Sequence, residues 1–215
     1  MNTLEKIRVV VADDHDMVRA GIRGWLEMEP DLLVVGEARN GEEAVRLVHT
    51  LKPDVLVQDI QMPGMNGLSV IRTLREEGSP TRVLAITGFD NSSVRSALES
   101  GACGYLTKEE KREVMVEAVR WAAARTKGIW ISPAVAADLT QANMAVAEAA
   151  LTKAEINLLG LLALSNGDIA RRLHISESTV KNHITSIYSK LNVRTRREAM
   201  EWARRHGLMD AVREQ

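Results

Sequence analysis

The chain has 215 residues, of which 45% are hydrophobic and 27% are charged, and its formal net charge is −1. This composition is typical of a globular protein with room for two small domains, and it excludes collagen-like, mucin-like and disordered chains. No apolar run approaches the ~20 residues that span a bilayer, and the charged N-terminal segment argues against a secretory signal, so we expect a cytoplasmic protein with no membrane contact. The single cysteine, Cys103, excludes a disulfide framework or a zinc site and is expected to be an inert core residue.

Charge is distributed unevenly along the chain. Residues 151–215 contain eleven Lys and Arg against seven Asp and Glu, a net of +4, so the preceding residues carry a net of −5. An acidic first part joined to a basic second part favours contact between the second part and a polyanion. Random variation of surface charge explains an excess of this size equally well, so charge alone does not identify the partner.

The first 125 residues alternate short apolar runs with amphipathic stretches. The runs are rich in β-branched residues and nearly continuous, as expected of parallel strands covered on both faces. They lie at residues 7–12, 32–36, 55–57, 82–86 and 102–106. Between them, apolar residues recur at helical spacing, as Val18, Ile22 and Leu26 do. Five strands alternating with five helices predict a doubly wound α/β domain with a five-stranded parallel sheet, assigned to residues 1–125.

The pattern changes after this domain. Pro133 is expected to start a short helix over 133–140, and an alanine-rich stretch follows, so residues 126–150 are assigned to an interdomain linker. The alanine content also suits a longer helix. From residue 151 onward the sequence shows four helical patterns and no strand pattern. Residues 151–215 are therefore expected to form a small all-α domain of four helices.

Three carboxylates follow two of the predicted strands at the point where each strand ends. Asp13 and Asp14 come after the first strand, and Asp59 comes after the third. Ligands bind a parallel sheet at the carboxyl ends of its strands, and carboxylates gathered there repel each other unless a hard cation such as Mg²⁺ is bound. Thr87 after the fourth strand and Lys108 after the fifth add a hydroxyl and an ammonium suited to an anion. The combination predicts a site in which one carboxylate attacks a phosphoryl group beside Mg²⁺.

The residues of this pocket carry a resemblance to a known family. Ala-Asp-Asp-His at 12–15, Asp-Ile-Gln-Met-Pro-Gly-Met-Asn-Gly at 59–67, Thr87 and Lys108 resemble the receiver domain in order and spacing. The resemblance covers about residues 7–125 and implies a flavodoxin-like fold.

The resemblance also implies roles for individual residues. It makes Asp59 the acceptor of a phosphoryl group from a partner histidine kinase, and it makes Thr87 and Tyr105 a pair that rearranges when the phosphoryl group arrives. The implied ligands of Mg²⁺ are Asp13, Asp14, Asp59 and the backbone carbonyl of Gln61.

Several of these residues have a simpler interpretation when each is taken alone. Asp13 and Asp14 suit a helix N-cap, and Tyr105 suits ordinary packing in an edge strand. Gln58 departs from the receiver pattern because it puts an amide where an apolar strand residue is usual, and such an amide costs ~1–3 kcal/mol unless it is hydrogen-bonded. Gly88 leaves an unencumbered backbone beside the switch. Both departures bear on the lifetime of phosphorylation, in a direction that the sequence does not give.

Residues 169–183 are typical of a helix, a tight turn and a second helix. Ser176 is a good N-cap for the second helix, along which apolar residues form one buried stripe. The opposite face is small and polar, so this helix can approach base edges in a major groove. The basic residues available around it for phosphates are Arg171, Arg172, Lys190, Arg194, Arg196 and Arg197. This pattern alone is equally typical of any solvated helix.

The second domain resembles the LuxR-type helix-turn-helix. The resemblance rests on Leu151-Thr152, Glu155, Asn166, Ile169-Ala170, Ser176, Thr179-Val180-Lys181-Asn182-His183 and Lys190-Leu191. Together with the receiver, it places the chain in the NarL/FixJ group of response regulators. It implies that the partner is duplex DNA and that a homodimer forms through the helix from Thr195 to His206. The residues implied to face bases are Lys181, Asn182 and Thr185, and those implied to lie on phosphates are Thr179, Lys190 and Arg194.

The turn before this motif departs from the family pattern. The family usually has a glycine-containing turn that is about two residues longer than Ala-Leu-Ser-Asn at 163–166, and glycine commonly supplies the left-handed residue that ends a helix. The turn must therefore close in a different way, which leaves the packing of the first helix of this domain open.

Two other functions fit parts of the sequence. A phosphohydrolase with Asp59 as nucleophile would need an acid/base Asp two residues later, where this chain has Gln61, so no enzyme is expected beyond self-phosphorylation and self-dephosphorylation. A protein-binding helical domain would present apolar residues on the outer face of the second helix, and that face is polar. The sequence therefore favours a transcription regulator gated by phosphorylation. It leaves open whether phosphorylation releases the recognition helix or promotes dimerisation on DNA.

Overall fold

The structure, a computed structural model, describes residues 6–88 and 93–209, without the side chains of residues 142 and 143. It divides into two compact units, the first ending at Ala136 and the second beginning at Ala137. Within the described residues, no helix combines the length and the apolar character needed to cross a bilayer.

The first unit contains one parallel sheet. Its strands are β1 (Ile7–Ala12), β2 (Leu32–Ala38), β3 (Val55–Asp59), β4 (Arg82–Thr87), β5 (Gly104–Thr107) and β6 (Trp130–Ile131). They lie in the order β2-β1-β3-β4-β5-β6, and every pair is parallel. Since the chain runs outward from β1 in both directions, the sheet is doubly wound, and ligands of such sheets bind where the winding reverses, between β1 and β3.

Five helices connect the first five strands and the end of the domain. They are α1 (Asp16–Glu27), α2 (Gly41–Leu51), α3 (Gly67–Glu76), α4 (Val94–Ser100) and α5 (Arg112–Ala123). Helices α1 and α5 pack on one face of the sheet, where Ile22, Leu26 and Met115 join the strand residues Val9 and Val57 in a single buried cluster. The predicted doubly wound α/β class is confirmed, because short β-branched strands covered by helices are visible in sequence as near-continuous apolar runs.

The strand count differs from the prediction by one. The two residues of β6 pair with Gly104 and Tyr105 of β5, whereas the sequence assigned this segment to the linker. A strand of two residues is too short to show a periodicity. Gly104 makes the pairing possible, because a Cβ there would lie 2.8 Å from the carbonyl oxygen of Trp130.

The segment after β6 is helical for longer than predicted. Helix α6 covers Pro133–Glu148, so the longer helix that the alanine content allowed replaces the short helix over 133–140. Ser132 caps it, since its Oγ accepts the N–H of Val135 at 3.3 Å. The division between the two compact units falls inside this helix, and the domain boundaries at 125/126 and 150/151 stay predictions.

The second unit also contains four shorter helices around a core of its own. They are α7 (Lys153–Gly160), α8 (Asn166–Leu173), α9 (Glu177–Leu191) and α10 (Arg196–Arg205). Each begins at a hydroxyl N-cap whose oxygen accepts a backbone N–H three residues later, and the caps are Thr152, Ser165, Ser176 and Thr195. The buried cluster includes Leu158, Ile169, Val180, Ile184 and Ala199, so the predicted all-helical domain is present.

Candidate functional site

The acidic pocket forms at the carboxyl ends of β1 and β3. Ala12 pairs with Gln58, so the next residue of each strand, Asp13 and Asp59, emerges at the same edge. The side chains of both are fully buried, whereas Asp14 is partly exposed. Asp13, Asp14, His15 and Asp59 each place one possible ligand atom within 4.8 Å of the others. The structure thus brings together the three predicted carboxylates, and it adds the exposed imidazole of His15, which the sequence alone does not mark as part of the site.

Lys108 bridges the two buried carboxylates. Its Nζ lies 2.7 Å from Asp59 Oδ2 and 2.8 Å from Asp13 Oδ2. Burial raises the pKa of Asp59, although the hydrogen bond from Lys108 opposes the shift. Burial works to lower the pKa of Lys108, but its bonds to Asp13 and Asp59 outweigh that effect and raise the pKa. The lysine is therefore a firmly charged partner for whichever anion occupies the pocket.

Thr87 supplies a hydroxyl that nothing in the described structure uses. The residue is fully buried at the end of β4, and its Oγ1 has no hydrogen-bond partner among the described residues. A buried hydroxyl in this state costs ~1–3 kcal/mol, so it suits a site that receives an oxyanion. On the other side of Asp59, the backbone N–H of Gln61 donates to Asp59 Oδ1 at 3.2 Å, which places Gln61 next to the carboxylate.

Tyr105 is fully buried, and it does not lie on an edge strand because β6 pairs on the outer side of β5. In the register of β4 and β5, Ala85 lies opposite Tyr105 and Thr87 lies opposite Thr107. Residues two apart in a strand share a face, so Thr87 and Tyr105 project from the same face of neighbouring strands. This placement is compatible with a coupled movement, which stays a prediction.

The side-chain amide of Gln58 is hydrogen-bonded inside the sheet through its nitrogen but not through its oxygen. Its Nε2 donates to the backbone carbonyl of Asp59 at 2.7 Å, while its buried Oε1 has no partner among the described residues. The polar residue that departs from the receiver pattern is therefore tied to the backbone of the candidate phosphoacceptor. Among the described residues, nothing lies within 4 Å of a Cβ placed on Gly88.

Arg19 is a member of the site that sequence reasoning missed. Its guanidinium is buried in α1, and Nη1 donates to the carbonyl oxygen of Asp13 at 2.7 Å. The same group contacts Asp16 and lies 3.4 Å from Glu37. It thereby holds the loop that carries Asp13 and Asp14. The available signal was an arginine three residues after an aspartate at a helix start, a spacing that places the two side chains together.

Gly67 fixes the close approach of α3 to the end of β3. A Cβ at this position would lie 2.0 Å from the carbonyl oxygen of Asp59 and 2.7 Å from Ile60 Cα. We therefore expect Gly67→Ala to lower the free energy of unfolding by about 1–3 kcal/mol or more, since backbone atoms of the pocket must move. The matched control is Gly21→Ala in α1, where nothing lies within 4 Å and where alanine favours the helix by roughly 0.5–1 kcal/mol. Urea unfolding of both variants checks this, and equal effects would contradict it.

The helix-turn-helix consists of α8 and α9. Helix α8 ends at Leu173 and is followed by its C-cap His174, whose φ of 54° is left-handed. Two residues later, Ser176 is the N-cap of α9. Along α9, Val180, Ile184 and Ile187 are buried, as the apolar stripe predicted. The residues predicted to face bases, Lys181, Asn182 and Thr185, are all exposed, and so is Arg194; Thr179 is half-buried and its hydroxyl lies 2.8 Å from Ser176 Oγ.

Lys190 is engaged inside the second unit. Its Nζ lies 2.7 Å from Glu155 Oε2 and donates to the carbonyl of Ala150 at 3.0 Å. Glu155 is buried at the start of α7 and also accepts hydrogen bonds from Ser186 Oγ and from the Thr152 N–H, each at 2.7 Å. This network ties α7 to α9. The predicted contact of Lys190 with a DNA phosphate stays a prediction, and it would require this lysine to leave Glu155.

Glu155 gives the second unit a defined acid sensitivity. Burial raises its pKa, but the bonds from Lys190, Ser186 and Thr152 together lower it to about 2. Since the folded-state pKa lies below the ordinary 4.5, the stabilisation is complete above about pH 4.5 and is lost as the pH falls toward 2. We expect Glu155→Gln to cost about 3 kcal/mol at pH 7 and much less at pH 3. Hydrogen exchange of α9 amides in variant and wild type, compared at each pH, checks this. The exposed Glu201→Gln is the control, and a cost independent of pH would contradict the assignment.

Arg196 closes the short turn between α7 and α8. Its Nε donates to the carbonyl of Leu162 at 2.8 Å, Nη2 to the carbonyl of Leu164 at 2.6 Å and Nη1 to Asn166 Oδ1 at 2.8 Å. From the sequence, Arg196 was expected to be available for contacts with DNA phosphates. Instead, it satisfies the carbonyl groups that a glycine-containing turn would otherwise arrange.

Together these features define the class of protein, which combines a parallel α/β unit that has a buried acidic pocket with a helical unit that has an exposed recognition helix.

The response regulator receiver domain family matches residues 9–120, and the luxR family of bacterial regulatory proteins matches residues 149–203. The nitrate/nitrite response regulator protein NarL of Escherichia coli (strain K12) is 39% identical over 210 residues, covering 94% of this chain and 97% of NarL. The transcriptional regulatory protein LiaR of Bacillus subtilis (strain 168) is 37% identical over 211 residues, covering 95% and 100%.

The likeness extends to solved structures. The crystal structure of the response regulator ChrA in a heme-sensing two-component system matches with a TM-score of 0.57 at 39% identity, covering 96% of this chain and 100% of that one. The chain belongs to the LuxR-family DNA-binding response regulators of two-component systems, as the sequence predicted.

Proposed function

We propose that phosphorylation of Asp59 by a partner histidine kinase controls the binding of duplex DNA by α9. The observation that carries this proposal is a charged lysine in contact with a buried carboxylate, together with an unpartnered hydroxyl at the end of the neighbouring strand. Lys108 Nζ lies 2.7 Å from Asp59 Oδ2, and the buried Thr87 Oγ1 has no partner among the described residues. Both groups stabilise a phosphoryl oxyanion by charge-assisted hydrogen bonds.

The chemistry is a transfer between two covalent carriers. An Asp59 carboxylate oxygen attacks the phosphorus of a phosphohistidine, the phosphorus–nitrogen bond breaks, and its electron pair returns to the imidazole. Lys108 then pairs with a phosphoryl oxygen in place of Asp59, and Thr87 donates to another. Asp13, Asp14, Asp59 and the Gln61 carbonyl would hold Mg²⁺. Their fit rests on gathered oxygen ligands, since Asp13, Asp14 and Asp59 each place a carboxylate oxygen within 4.8 Å of the others. When bound, this ion neutralises charge on the phosphoryl group.

The signal passes from Thr87 to Tyr105. When Thr87 turns toward the phosphoryl group, the space it leaves is open to Tyr105 on the same face of the sheet, and the two residues bias a two-state equilibrium. The output is a recognition helix freed to bind or a homodimer paired through α10 on a two-fold-related site. In either case Lys181, Asn182 and Thr185 read bases, while Thr179, Lys190 and Arg194 hold phosphates. The protein acts in the cytoplasm and turns over no external substrate.

The test is selection of duplexes from a genomic pool by the full chain, with Mg²⁺ present and with or without beryllium fluoride. This anion mimics an acyl phosphate on Asp59. Enrichment of a two-fold-related site only with the mimic supports the proposal, and light scattering of the selected complex separates dimerisation from release. Equal enrichment without the mimic would remove the phosphorylation gate, and no enrichment at all would overturn DNA binding.

A further inference from the structure

A second cavity lies at the edge of the sheet opposite the Asp59 pocket. It measures about 350 Å³ and lies at the amino ends of β4 and β5. Its walls come from the end of α3, the loop before β4, the loop before β5 and the residue Arg125 after α5. A volume of this size is at the lower end of the range for small-molecule sites.

Three arginines line this cavity, and no acidic residue does. They are Arg75, Arg82 and Arg125. Across the described part of the chain, none of the three forms an ion pair, as is also true of Arg8 and Arg72, whereas six other arginines of the same unit do. Arg82 is half-buried, and Arg75 and Arg125 are exposed. Three positive side chains and no carboxylate at one cavity give it a positive potential, which favours an anion there.

Two of these arginines are held in place by the fold. Arg75 Nη1 donates to the carbonyl of Glu99 at 2.6 Å, and its stem fills the space where Gly101 lacks a side chain, since a Cβ there would lie 2.7 Å from Arg75 Cδ. The guanidinium carbon of Arg82 lies 5.9 Å from the centre of the Trp121 ring. The Nε of Arg82 is buried and makes no hydrogen bond to a described oxygen or nitrogen, while the side chain also contacts the thiol of Cys103. A thiol is a weak acceptor, so an oxyanion would be a stronger partner for this guanidinium group.

The remaining lining is mixed, with the polar residues Ser79 and Thr81 beside an apolar part. Leu74, Val83 and Cys103 are buried there, and burial raises the pKa of the Cys103 thiol so that it stays protonated. An anion that fits both surfaces has a charged end for the guanidinium groups and a hydrocarbon part for these side chains.

We propose that this cavity binds a small organic anion, a carboxylate or phosphate monoester, through Arg75, Arg82 and Arg125. The site is separate from the phosphorylation pocket and does not depend on the function proposed above. Binding on the folded unit stabilises the receiver by mass action, whatever the state of Asp59.

The experiment is calorimetric titration of the full chain with phenyl phosphate, in Mg²⁺ and beryllium fluoride so that the Asp59 pocket is already occupied. Benzoate tests the carboxylate class, inorganic phosphate tests the need for the apolar part, and benzyl alcohol is the neutral control. We expect saturable binding of phenyl phosphate or benzoate, binding of inorganic phosphate weaker by about tenfold, and none of benzyl alcohol.

Variants locate the binding. Arg75→Gln and Arg125→Gln are each expected to weaken it by about tenfold or more, because a charge-assisted hydrogen bond is lost. Arg72→Gln is the matched control, since this exposed arginine of α3 does not line the cavity. Arg82→Gln is informative only if its thermal unfolding matches the wild type, as Arg82 also packs on Trp121. The proposal is overturned if no probe saturates, if benzyl alcohol binds equally well, or if Arg72→Gln weakens binding as much as Arg125→Gln.

Discussion

Asp59→Asn is expected to abolish the gain in DNA affinity that Mg²⁺ and beryllium fluoride produce. Couplings between two sites of one protein are typically 1–3 kcal/mol, so the wild-type gain should be about 5–150-fold, and the variant should show none. The reason is chemical: Lys108 contacts the Asp59 carboxylate, Thr87 offers an unpartnered hydroxyl at the end of the neighbouring strand β4, and an amide does not form the acyl phosphate that these groups would bind. Fluorescence anisotropy of a selected duplex, with and without the mimic, measures the gain.

The stability of the same variant separates loss of signalling from loss of folding. Burial raises the pKa of Asp59, and a carboxyl group whose pKa is raised on folding destabilises the folded state at pH values above that pKa. Asp59→Asn is therefore expected to unfold at the same temperature as the wild type or a higher one. Asp54→Asn is the matched control, because it lies just before the other end of β3 and its Oδ2 only accepts the Arg8 N–H, which an amide oxygen also does. A gain that persists in Asp59→Asn, or disappears in Asp54→Asn, would contradict the assignment.

The pocket was predictable because it depends on strand order more than on side-chain detail. Asp13 and Asp59 end two apolar runs, and placing those runs side by side in a doubly wound sheet brings the carboxylates together. Lys108 and Thr87 follow from the same rule. Arg19 does not: its spacing marks the contact with Asp16, but its bond to the carbonyl of Asp13 has a backbone acceptor, which leaves no mark in the sequence.

The partners of long basic side chains were the least predictable feature. The sequence predicts that Lys190 and Arg196 are available to bind DNA phosphates, since both are positively charged and lie near the recognition helix. The structure engages Lys190 with Glu155, 35 positions away, and Arg196 with the turn after Leu162. Such pairings depend on how α7 and α10 pack against their neighbours, which a periodic pattern does not specify. The two-residue strand β6 was not predicted for a related reason: it is recognisable only by its pairing with β5, which the sequence of β6 does not show.

Arg196→Met is expected to lower DNA affinity by about tenfold or more without changing its dependence on salt. The variant removes three donors from the turn, to the carbonyls of Leu162 and Leu164 and to Asn166 Oδ1. We expect the free energy of unfolding to fall by about 2–4 kcal/mol, and α8 to lose the support that sets its angle to α9. If Arg196 touched phosphate, the slope of log K against log[salt] would instead fall by ~0.9.

Three further variants make the distinction measurable. The exposed neighbour Arg197→Met is the control for charge and should change stability little, whereas Arg194→Met should show the reduced salt slope expected of a phosphate contact. Inserting a glycine-containing pair of residues between Ala163 and Leu164 of Arg196→Met gives the turn a left-handed residue of its own. Recovery of stability and affinity in this insertion variant, at unchanged slope, would establish that Arg196 acts by closing a turn too short to close itself. A reduced salt slope in Arg196→Met, with no recovery on insertion, would show instead that Arg196 contacts a phosphate of the DNA.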